Sequence, residues 1–144
     1  MIAAALALLF ASTQSPATPP EPPEMTLFGQ CIARGNDTNA TYSQCYGEAI
    51  AAADARLEQR FALLRDSVSD QSDPQGGTSA RAAVETGQSL WRAFFAQACA
   101  HYWTAEYGSM HRSIIGPQCS LDILLERIGQ IDRLLEAQES LAGE

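Results

Sequence analysis

The stretch Thr41–Val68, TYSQCYGEAIAAADARLEQRFALLRDSV, decides how this chain folds. Its apolar residues Tyr46, Ile50, Ala53, Leu57, Phe61, Leu64 and Val68 recur at steps of three and four, which sets them on one stripe of a long α-helix. Thr41-x-x-Gln44 has the form of a capping box, so the helix is expected to begin near Thr41. The polar run Gly35–Asn39 ahead of it reads as turn and cap chemistry. Asp70–Gly77, DQSDPQGG, ends it, because aspartate, proline and paired glycines favour turns over helix.

Working outward, a second helix is expected from about Ser79 to Tyr107. Its stripe is Val84, Gln88, Trp91, Phe95, Ala98 and Tyr102, with Phe94 alongside. Gln88 interrupts an apolar face, and a buried amide there needs a polar partner on a neighbouring helix. Gly108–Gly116 reads as a nine-residue loop, and Pro117 suits the first turn of a third helix. That helix carries Leu121, Leu124, Leu125, Ile128, Ile131 and Leu135. No stretch alternates with period two, so the expected fold is all-α: an antiparallel three-helix bundle. Trp91 should anchor its core against Leu57, Phe61 and Ile128.

The chain has four cysteines, Cys31, Cys45, Cys99 and Cys119, with no C-x-x-C and no close Cys/His pair. An even count in a short exported chain points to disulfides, not to a metal or redox site. In an up-down-up bundle all four thiols reach one end. Local pairing, Cys31 with Cys45 and Cys99 with Cys119, is preferred because each bridge brackets one connection. Cys31 with Cys119 and Cys45 with Cys99 also fits four thiols at one pole.

Ile2–Ala11, IAAALALLFA, is too short to span a bilayer and suits the apolar centre of a secretory signal, expected over residues 1–17. Thr18–Glu24 holds four prolines in seven residues, so 18–30 is expected to be an extended, Pro-rich tether. The domain proper is expected over 31–138, with a tail at 139–144. Once the signal is removed, no stable membrane insertion is expected, and the protein should be periplasmic or secreted.

Composition narrows the chemistry. Nine basic residues stand against seventeen acidic ones, for a net charge of −8, and every basic residue is arginine. Such a surface repels phosphate backbones, which disfavours nucleic acid. There is no H-E-x-x-H, no phosphate-binding glycine loop and no nucleophile elbow. No cofactor, no metal site and no enzyme activity are expected. Asp54 and Glu58, one helical turn apart, are expected to be solvated, with Asp54 able to reach Gln88 or Arg127. The aromatic end of helix two and the loop after it (Tyr107, Gly108, Ser109, Met110 and His111) form the candidate partner-binding surface, since such residues are enriched at binding hot spots.

Several of these residues fall in a known order. Cys31 and Cys45, then Asp54 and Leu57, then Gln88-x-x-Trp91-x-x-Phe94 leading to Cys99, then Gly108-Ser109-Met110, Cys119 and Arg127 together resemble the LprI-type lysozyme inhibitor family. The resemblance runs from Cys31 to about Leu135. It departs at Glu58, where the family usually has Asn, at Phe61 (Tyr), at Phe95-Ala96 (Arg-Asp) and at Leu124 (often Thr). The resemblance implies an exported binding protein that inhibits a lysozyme-type muramidase by steric occlusion. The acidic surface would attract a basic lysozyme as partner. The alternative is a structural or stress-related envelope domain with no enzyme target.

Overall fold

A computed structural model describes residues 20–72, 76–104 and 108–143; the expected signal and the start of the expected tether lie outside them. Four α-helices carry the fold: α1 (Pro23–Arg34), α2 (Asn39–Ser67), α3 (Ala80–Ala98) and α4 (Gly116–Ala142). A 3-10 turn, Ala100–Trp103, and a π-helical turn, His111–Ile115, lie between α3 and α4. The described residues contain no strand, and the fold is all-α.

The expectation of an extended tether over 18–30 is corrected by α1. Pro23 stands at the first helical position, where the missing N–H would have had no partner and the ring holds φ near its helical value. Glu24 follows in the first turn, where the helix dipole favours a carboxylate. What holds α1 in place is tertiary. The Phe28 ring lies 4.3 Å from that of Tyr46, and Glu24, buried, meets Arg56 with Nε to Oε1 at 3.1 Å. That pair is a charge contact without the alignment of a hydrogen bond, and Glu24 Oε2 is buried without a partner. Gly35 ends α1 because the chain must turn tightly there: a Cβ would run into Thr41 Cγ2.

α2 begins three residues earlier than the capping box implied. Thr38 is the N-cap, its hydroxyl accepting from the Thr41 N–H at 3.2 Å, while Gln44 turns forward to donate to Glu48. The extended backbone of Thr38 leaves its side chain free to fold back over the first turn, the usual N-cap geometry.

The core lies between α2 and α4. Ala49, Ala53, Leu57 and Leu64 of α2 interlock with Leu121, Leu124, Ile128, Ile131 and Leu135 of α4, all buried. Arg60 Nε donates to Asp132 at 2.5 Å and Asn39 Nδ2 to Ser109 at 3.4 Å, so the two helices run in the same direction. α3 runs against them, from Ser69 O, which accepts from Arg81 N–H, up to Cys99. α1 likewise runs against α2, giving the three long helices an up-down-up course with a fourth, short helix added.

Two disulfides close one end. Cys31–Cys45 joins the last turn of α1 to the first turns of α2, and Cys99–Cys119 joins the end of α3 to the start of α4. The local pairing is the one formed. Leu57 and Ile128 are fully buried, whereas Phe61 and Trp91 are partly buried and pack against the edge of the core.

Candidate functional site

The disulfide end carries the surface that the sequence singled out, in a different form. Gly108–Gly116 is not a loop. Residues 109–110 are already helical and lead through the π-helical turn straight into α4. Proline explains the wide turn. Pro117 has no N–H to give, and its ring would crowd the carbonyl four residues back in a regular helix. Opening the preceding turn, with Gly116 N–H donating to His111 O, relieves that crowding and lets the helix continue.

The second helix is also shorter than expected. It stops at Ala98; Cys99 leaves helical geometry at φ −107°, ψ 7°, and the 3-10 turn carries His101, Tyr102 and Trp103. This turn crosses the start of α4 at Gly116, where a Cβ would meet Tyr102 Cβ at 3.2 Å and Trp103 Cε2 at 3.3 Å. A side chain at 116 would make these neighbours give by a few tenths of an ångström, so glycine eases the approach. The crossing leaves Trp103 52 % exposed, with Met110 54 % exposed at the start of the helical segment that follows. Gly108 and Ser109 are exposed as well, His111 is half-buried, and Tyr107 lies outside the described residues. The His101 and Tyr102 rings pack with centroids 3.9 Å apart.

A second constellation lies along the seam between α3 and its neighbours. Gln88 is buried, and its Oε1 accepts from Arg127 Nε at 3.1 Å and Nη2 at 3.0 Å. Asp54 does not join that pair as expected. It accepts instead from Arg92 Nη1 at 2.5 Å, and Glu58 accepts from Arg92 Nη2. Both carboxylates remain about half exposed, so their solvation is shared with one guanidinium. Trp91 lies between the two arginines: Arg92 Cζ is 5.4 Å and Arg127 Cζ 5.6 Å from its ring, and Phe95 stacks at 5.3 Å. Burial opposes the charge on Arg92, but the hydrogen bonds it donates to Asp54 and Glu58, with their charges, outweigh it and its pKa is raised. Among the described residues Arg127 has no carboxylate partner, and burial lowers its pKa. The role of Arg92 was not read from the sequence, although two carboxylates one turn apart were a signal that a cation was needed.

Among the described residues, no three metal-binding side chains come together and no helix is long and apolar enough to cross a membrane. Elsewhere at the disulfide end, partial burial raises the pKa of Asp122, and burial followed by the charge of Asp122 raises that of Tyr46.

Comparison with known proteins decides the assignment. The family described as lysozyme inhibitor LprI matches residues 31–131. The chain belongs to the LprI lysozyme inhibitor family. No curated protein and no solved structure matches it. The match to the LprI family begins at Cys31, inside α1, and ends at Ile131, so it takes in both disulfides, the seam of α3 and most of the core. Membership places the chain in a family of inhibitors, not of enzymes.

Proposed function

We propose that this protein is an exported, periplasmic or secreted binding protein that inhibits a lysozyme-type muramidase by covering its cleft. Family membership over residues 31–131 carries the reading. The two disulfides suit an oxidising compartment. The occluding surface is the disulfide end, with Gly108, Ser109, Met110 and His111 and with Trp103 beside them; Tyr107, next in sequence before Gly108, is assigned to it from the sequence alone. Large side chains held exposed on a cross-linked frame bind with little ordering cost. With a net charge of −8, the domain attracts a basic enzyme, an effect on encounter rate that salt screens. No covalent step is involved.

A turbidity assay with purified protein, a basic lysozyme and cell-wall substrate tests this. Stoichiometric inhibition is expected at low salt. Replacing Trp103 and Met110 together by alanine should weaken it about tenfold or more, as loss of an aromatic anchor does, without changing the helical signal. If equimolar protein leaves the enzyme fully active, the inhibitor reading fails for that enzyme and a structural envelope role takes its place.

A further inference from the structure

The two arginines that flank Trp91 differ in one respect. Arg92 is neutralised by Asp54 and Glu58, whereas among the described residues Arg127 donates only to amide oxygens, those of Gln88 and Gln130. Arg127 is also half-buried, where an uncompensated cation is costly, and burial depresses its pKa. It lines a cavity of about 260 Å³ on the α3–α4 seam with Trp91, Phe94, Ile123, Glu126 and Gln130. A second cavity of about 270 Å³, lined by Phe95, Cys99, Trp103 and Ser120 among others, follows on the same seam toward the disulfide end. Phe94, 57 % exposed, and Trp103, 52 % exposed, mark the two cavities, and neither packs into the core.

We propose that the α3–α4 seam binds a peptide end: a free C-terminal carboxylate on Arg127, with the apolar residues before it running past Phe94 and Phe95 to Trp103. Gln88 takes the Nε and one Nη2 hydrogen and Gln130 one Nη1 hydrogen, which leaves one N–H on each of Nη1 and Nη2 as charge-assisted donors for a carboxylate. From Arg127 back to Ser120 is seven helical steps, roughly 10 Å at 1.5 Å per residue, which about three extended residues cover. A small anion alone would leave the upper cavity empty. Glu126, exposed at the edge of the lower cavity and hydrogen-bonded weakly by Gln130 at 3.5 Å, opposes the incoming carboxylate and sets a limit on affinity. This site shares Trp103 with the inhibitory surface proposed above, but its other residues, Arg127, Phe94 and Phe95, lie outside that surface.

The probe is N-acetyl-Ala-Leu-Ala with a free carboxylate, titrated into the full chain against the same peptide as its C-terminal amide. The chain has two tryptophans, so the two indole N–H resonances, assigned with Trp103→Phe, report the two ends of the seam. The acid should shift both and bind about tenfold or more tighter than the amide, the scale of one charge-assisted contact. Sodium acetate should shift Trp91 alone. Phe94→Ala, at an exposed position, should weaken binding several-fold with an unchanged melting temperature. Glu126→Gln should tighten it, and Arg127→Gln should erase the preference for the acid. Equal binding of acid and amide, no saturable shift up to about 10 mM, or indifference to Phe94→Ala overturns the proposal. Phe94→Ala and the amide arm decide the matter even if Arg127→Gln fails to fold. Muramidase inhibition by the Phe94 and Glu126 variants should be unaltered, which separates this site from the one that carries the inhibitor reading.

Discussion

The α2–α4 pair and the α3 seam hold the same small domain together by opposite means. Between α2 and α4 the contact is dry and apolar, with Leu57, Leu121, Leu124, Ile128 and Ile131 all but fully removed from solvent. Helix α3 contributes no fully buried apolar side chain; its one buried residue is Gln88. It is held by the partly buried Val84, Trp91 and Phe95 at the core edge and by directional contacts: Gln88 on Arg127, Arg92 on Asp54 and Glu58, and the Cys99–Cys119 bridge. Apolar burial scales with area and is insensitive to small shifts, whereas exposed ion pairs contribute little once water and salt compete. The difference teaches that α2 and α4 set the global stability, while α3 sets where the domain opens first.

The largest expected effect tests the first half of that contrast. Leu124→Ala removes a fully buried side chain from the α2–α4 interface and should destabilise the domain by about 3–5 kcal/mol. Denaturant unfolding measures it. A loss below about 1 kcal/mol would mean that this interface is not the main source of stability.

An intermediate effect tests the second half. Replacing Cys99 and Cys119 together by serine frees a loop whose closure contributes about 3 kcal/mol in the chain-entropy estimate. Amide hydrogen exchange should quicken along α3 and the 3-10 turn before it changes in α2 or α4. Uniform quickening across all helices would show that α3 unfolds only with the rest.

The smallest effect sharpens the contrast further. Arg92→Gln removes both ion pairs to α2, yet the carboxylates it leaves are about half exposed. The cost should be about 1 kcal/mol or less and should shrink as salt is raised. A loss comparable to that of Leu124→Ala would make the polar seam an equal partner to the core.

Much of this follows from the order of residues. The stripe of α2, the stripe of α4 and the breaker between α2 and α3 are local patterns, since helical periodicity and turn chemistry act over a few residues. The even cysteine count and the ordered motif from Cys31 to Arg127 carried the disulfides and the family. Buried Gln88 was legible too, because a lone amide on an apolar stripe must find a partner.

Other features depended on contacts between distant residues. Pro22-Pro23-Glu24 looks like extended chain in isolation, and becomes the start of α1 because Phe28 finds Tyr46 and Glu24 finds Arg56. Gly108–Gly116 has loop composition, and becomes helix because the π-helical turn accommodates Pro117 while Tyr102 and Trp103 pack over Gly116. Asp54 was expected to meet Gln88 or Arg127, and only the register between α2 and α3 set it against Arg92. Sequence by itself determined that α2, α3 and α4 are helical and which of their faces are apolar, because those depend on neighbours three and four positions away. Tertiary structure alone decided which polar groups meet and which cation was left without an anion, because a shift of one helical turn exchanges the partners without altering the stripe.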